Sequence, residues 1–102
     1  MSKREQLEKL LESSPDDLFL RYAFAMACSS EGDNDTAAER LAGINSTDPD
    51  HVAAWFQHGK ILNELGESDD ARDVIVNGIA AAQRVGDDHA EEEMRGFLAL
   101  IV

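Results

Sequence analysis

Apolar residues recur along the chain three and four positions apart, in sets separated by short polar runs. The sets include Leu7, Leu10 and Leu11; Leu20, Phe24 and Cys28; Trp55, Gly59 and Leu62; Ala71, Ile75 and Ile79; and Met94, Phe97, Leu98 and Ile101. This spacing follows the turn of an α-helix and gives each segment one face to bury. It predicts six helices, over about residues 2–12, 16–30, 34–45, 49–65, 68–85 and 87–101. Gly32, Gly66 and Gly86 fall between segments, where a residue free to take the left-handed backbone conformation stops a helix at little cost. Asp33, Asn34 and Asp35 follow the first glycine, Ser68, Asp69 and Asp70 the second, and Asp87 and Asp88 the third. Their side-chain oxygens and negative charge suit the exposed amides of a new helix. Turns this short force successive helices to pack antiparallel, and Ala25, Ala37, Gly59, Ala71 and Gly78 are small enough to let their axes come close.

The pattern repeats. Pro15 and Pro49 lie 34 residues apart, and the same offset relates Gly32 to Gly66, Ala37 to Ala71, Ala25 to Gly59, Leu7 to Leu41 and Leu10 to Ile44. The prolines, glycines and alanines among them mark where helices start, stop or approach closely, so their agreement in one register points to a repeated helical hairpin. A hairpin too thin to make its own core must stack on its neighbours.

Trp55, Gly59, Leu62, Gly66, Ala71 and Ile75, with Pro49 ahead of them, resemble the signature of a tetratricopeptide repeat. In that family the tryptophan and glycine interlock the two helices of a repeat, and the alanine sits at their crossing. The preceding unit is similar through Phe24, Ala25, Cys28, Gly32, Ala37, Leu41 and Pro49, with Arg21 standing where tryptophan is expected. The resemblance implies an all-α fold, with antiparallel helix-turn-helix pairs stacked as a short right-handed α-solenoid of about six helices. It divides a single domain, 1–102, into a partial repeat at 2–15, repeats at 16–48 and 49–85, and a covering helix at 87–102.

The first helices of such repeats line a concave groove that receives a peptide or helix of another protein. Carried onto this chain, the groove residues are Phe19, Tyr22 and Met26 from one repeat and Phe56, Lys60, Asn63 and Glu64 from the next. Two outcomes stand open: a groove free for an apolar segment, or side chains already covered by the N-terminal helix or by residues 87–101. One family subtype clamps the C-terminal carboxylate of heat-shock chaperones with lysines, an arginine and asparagines. Only Lys60 and Asn63 suit that role here, and Tyr22, Met26 and Phe56 stand where it needs polar or basic groups. A covering helix normally turns a polar face outward, whereas this chain ends with Phe97, Leu98, Leu100, Ile101 and Val102, a second candidate interface through which a homodimer would form.

Composition narrows the function classes. Nine basic residues against 21 acidic ones give a net charge of −12, which repels phosphate backbones and anionic lipid, so neither nucleic acid nor a membrane is an expected partner. Scarce lysine and scattered carboxylates also fit a cytoplasm of high salt. Screening of carboxylate repulsion then predicts a melting temperature that rises with ionic strength; one that stays flat from low to molar salt contradicts the idea. No apolar stretch is long enough to cross a bilayer, and the first residues lack a secretory segment, so the expected location is cytoplasmic. Cys28, the single cysteine, sits among apolar residues as a buried reduced thiol.

No constellation for catalysis, a cofactor or a metal emerges, and no enzyme activity is expected. His51 reads as part of a solvated helix cap beside Pro49, and His58 as a hydrogen-bonded core histidine beside Trp55 and Gly59. His89 stands with Glu91, Glu92 and Glu93 in a helix's first turns, where acidic charge is favoured. Asp33, Asn34 and Asp35 lack the twelfth-position glutamate of a calcium loop, since Ile44 falls there.

Overall fold

The computed structural model describes residues 1–101 and forms six helices: α1 (Lys3–Ser13), α2 (Leu18–Ser30), α3 (Asn34–Thr47), α4 (Val52–Glu64), α5 (Ser68–Val85) and α6 (Asp88–Leu100). Strands are absent among the described residues. Five of the six starts are capped by a side chain that takes up a free amide. Ser2 and Glu5 exchange hydrogen bonds as a capping box, and Asp17, Asp33 and Asp87 accept from Leu20, Thr36 and Ala90. His51, expected at a cap, accepts from the Ala54 amide through Nδ1 at 3.1 Å. The exception is α5, whose cap position is Glu67 and carries no side-chain bond; Ser68 already lies inside the helix, with Asp69 and Asp70 supplying first-turn charge. The helix stops fall at Gly32, Gly66 and Gly86, with φ of 83°, 81° and 75°.

Each helix makes its substantial contacts with its neighbours in sequence, from α1 on α2 through α5 on α6, so the hairpins nest in chain order. Leu41, Ile44, Ile75, Met94 and Cys28 are the largest fully buried side chains. The α4–α5 crossing is close because Gly59 has no side chain: a Cβ there would run into Ile75. Gly78 does the same for α6, since a Cβ on it would lie 2.7 Å from Met94 Sδ and 2.8 Å from Trp55 Cβ. Trp55 Nε1 donates to the Pro49 carbonyl at 2.7 Å, and Arg84 donates to that carbonyl and to Asp50, tying the end of α5 to the start of α4. Arg21, in the tryptophan's place one repeat earlier, instead donates to Thr47 Oγ1 at the end of α3, where a cation meets the negative helix end.

One polar pair lies in the interior between α3 and α4. His58 Nδ1 lies 2.8 Å from Asn45 Oδ1, and both residues are buried. The imidazole donates here, which leaves Asn45 Nδ2 buried without a partner. Burial pushes the His58 pKa down, with Asp70 opposing. The unfolded chain therefore takes up a proton on His58 more readily than the folded one. Stability is whole above the unfolded imidazole's value of about 6.5 and is lost as pH falls below it toward the lower folded value. The urea midpoint of the protein should drop between pH 7.5 and 5 by more than that of His58→Gln; equal drops would refute the assignment.

Candidate functional site

A concavity of about 400 Å³ lies along α2 and is lined on one side by Lys3 at the start of α1. From α2 it is lined by Phe19, Tyr22, Ala23, Met26, Ala27 and Ser30, with Glu31 just beyond. These positions recur every three or four residues and so share one helix face. Phe19 is 78% exposed. Tyr22 is half-buried, its ring 5.1 Å from that of His51, and burial raises the phenol's pKa, so it remains a neutral hydroxyl. Arg4 bonds Asp33 at 2.9 Å and lies 3.8 Å from Glu31, steadying the junction of α1 with the end of α2.

Only part of the groove set expected from sequence comes together here. Phe19, Tyr22 and Met26 share the cavity; Phe56, Lys60, Asn63 and Glu64 stand apart from it on α4. Phe97 of α6 meets Phe56 edge-on at 6.0 Å between centroids, and Lys60 Nζ lies 4.2 Å from the Phe56 ring centre. Phe56 is half-buried against these neighbours. Glu64 accepts a hydrogen bond from Asn34 at 3.2 Å, and Asn63 is half-buried. Ala23, Ala27, Ser30 and Glu31 were not singled out from sequence although the helical period places them beside Phe19 and Met26. Lys3 had no such signal, since only the packing of α1 on α2 brings it there.

The C-terminal set divides as well. Ile101 is 7% exposed within the core, and Phe97 and Leu98 pack partly against it, whereas Leu100 is 75% exposed. The apolar stripe of α6 thus faces inward, and within the described residues Leu100 alone of that set is left outward. Val102 lies outside the described residues. No group of three or more His, Cys, Asp or Glu side chains suited to a metal occurs among the described residues, and no helix is long and apolar enough to cross a membrane. Cys28 is free and buried.

No protein-family model matches the chain. A TPR repeat-containing protein of Pseudomonas aeruginosa is 36% identical over 94 residues, covering 92% of this chain and 90% of the relative. Among solved structures, a protein of Bordetella parapertussis is similar with a TM-score of 0.86 at 30% identity, covering 99% of this chain and 88% of that one. The solution structure of a tetratricopeptide repeat domain protein of Salinibacter ruber follows at 0.81 and 29%, covering 85% and 88%. A crystal structure of such a protein from the same organism gives 0.79 and 28%, covering 84% and 96%. Nested hairpins with a glycine at the α4–α5 crossing, and a relative so titled across nearly the whole chain, lead to one conclusion: the chain belongs to the tetratricopeptide repeat family.

Proposed function

We propose that the protein is an interaction module that holds a segment of another protein against the exposed face of α2. The apolar cavity at Phe19, Tyr22 and Met26 carries this reading, because a 78% exposed aromatic ring beside two half-buried apolar side chains forms a contiguous surface that gains when a partner removes it from water. The net charge of −12 selects for neutral or basic partners and against acidic ones. Catalysis has no support from the arrangement of His51, His58 and His89, which serve as a cap, a core residue and a surface partner of Glu93.

A dimer through α6 has weaker support, since Phe97, Leu98 and Ile101 pack within their own chain. The test is affinity capture with in-cell cross-linking, run in parallel on the native chain and Met26→Glu. A partner cross-linked near α2 in the native chain and lost in the variant is the expected result. An unchanged set of cross-links in the variant would reject the α2 face.

A further inference from the structure

We propose a second site, on the other side of α2, in which Arg21 and Arg40 bind the carboxylate of a small monocarboxylic acid while Leu11, Phe24 and Pro15 take its apolar body. It is independent of the partner-binding reading above. With about 3.6 residues per turn, positions 21 and 24 lie on the side of α2 away from Phe19, Tyr22 and Met26. Two adjoining hollows of about 210 and 270 Å³ are set there between α1, α2 and α3, and Leu11, Arg21, Phe24 and Arg40 line both.

Both guanidiniums are held by neutral groups. Arg21 Nη1 donates to Thr47 Oγ1 at 3.2 Å, and its Nη2 lies 3.2 Å from where a Cβ on Gly43 would stand, so the bare glycine gives the guanidinium its room. Arg40 lies over the ring of buried Phe24, its Cζ 5.0 Å from the centroid. Arg4, Arg72, Arg84 and Arg95 each meet a carboxylate at 3.1 Å or less. Among the described residues no carboxylate stands at ion-pair distance from Arg21 or Arg40, in a chain with 21 acidic residues. At the 34-residue offset the second repeat has Trp55 and Val74 in their places, so the hairpin itself requires neither arginine. Two oriented guanidiniums of uncompensated charge on the walls of one hollow are donors suited to carboxylate oxygens.

The rest of the lining narrows the ligand. Leu11, Phe24 and Pro15 offer apolar contact to a body about the size of one side chain. Glu8 and Glu12 of α1 and Glu39 of α3 border the same hollows, and the chain carries a net charge of −12. One carboxylate gains from direct contact with the arginines. Each further negative charge on a guest meets more carboxylate than guanidinium, which disfavours phosphate and polyacids. At 0.15 M salt the wider field of the chain is screened beyond about 8 Å, so the contact outweighs it for a monoanion.

The probe is benzoate, titrated into the isotope-labelled full chain at 0.15 M salt and followed by amide and arginine side-chain shifts. Benzamide supplies the ring without the charge, and inorganic phosphate the charge without the ring. Benzoate should give saturable shifts at Leu11, Arg21, Phe24 and Arg40, with benzamide and phosphate each at least about tenfold weaker. Arg40→Gln, at an exposed position that leaves the fold intact, should weaken benzoate at least about fivefold, as should Arg21→Gln with its fold checked by circular dichroism. Arg72→Gln, at a cation already paired with Asp69, should leave benzoate binding unchanged.

Equal binding of benzamide would reduce the effect to apolar contact and overturn the proposal. Phosphate as tight as benzoate would make the hollow a general anion site and overturn it as well. So would the lack of any saturable shift, shifts centred on Lys60 or Phe19, or benzoate binding that Arg40→Gln and Arg21→Gln both leave unchanged. A short peptide with a C-terminal carboxylate that displaces benzoate and binds more than about tenfold more tightly would assign the site to a chain end and reject a small acid. None of these outcomes bears on cross-links at the Met26 face of α2, so the two readings fail separately.

Discussion

Replacing Met94 by alanine is expected to lower the unfolding free energy by about 2–5 kcal/mol, a large part of what a domain of this size possesses. Met94 is fully buried, and its sulfur occupies space that Gly78 leaves by having no side chain. The void left by alanine would have glycine on its far wall, so nothing from α5 can fill it. Helix α6 is 13 residues long and is held by Met94, Phe97, Leu98 and Ile101, so its attachment weakens and Phe97 withdraws from Phe56. A urea titration gives the magnitude, and hydrogen exchange should accelerate in α6 before α2 and α3. Met94→Leu, which nearly conserves volume, should cost less than about 1.5 kcal/mol. A change within about 0.5 kcal/mol for the alanine variant would mean that α6 is held by other contacts.

Gly59→Ala is the second large effect. In an exposed helix this change would stabilise by about 1 kcal/mol through backbone entropy. Here the new methyl collides with the end of Ile75, itself fully buried, and overpacking of such a site costs about 1–3 kcal/mol. The collision outweighs the helix preference, and the variant is expected to be net destabilised. Ile75→Ala removes both the Cδ1 and the Cγ1 atoms that the methyl would meet, so the double variant should be more stable than the sum of the two single costs predicts, with a coupling of about 1 kcal/mol. Strict additivity of the two changes would show that α4 and α5 do not depend on this close approach.

Most of the helix scheme was legible because its boundaries are written in residues with few conformational alternatives. Gly32, Gly66 and Gly86 do take positive φ, and Asp33, His51 and Asp87 do cap helices, so most boundaries fall within about two residues of the spacing's prediction. The uncapped start of α5 escaped because Ser68, the better capping residue by type, sits one position inside the helix. The candidate site was less readable, since it depends on contacts between segments far apart in sequence. Nothing local tells that Phe97 reaches Phe56, some forty positions away, or that Lys3 lines a cavity built by α2. Ile101 illustrates the same limit from the other side: an apolar chain end reads equally as an interface or as a last core layer, and the packing of α6 on α5 makes it the latter.

The nesting of each helix on the next also fixes how the chain finds its shape. Partners meet after closing loops of only a few residues, so little entropy is lost before attraction sets in, and acquisition of structure should fall in the microsecond-to-millisecond range. No element waits for a distant one, so ordering that begins at α4 and α5 can spread in both directions, and the hairpin ladder should unzip from α1 inward when the temperature rises.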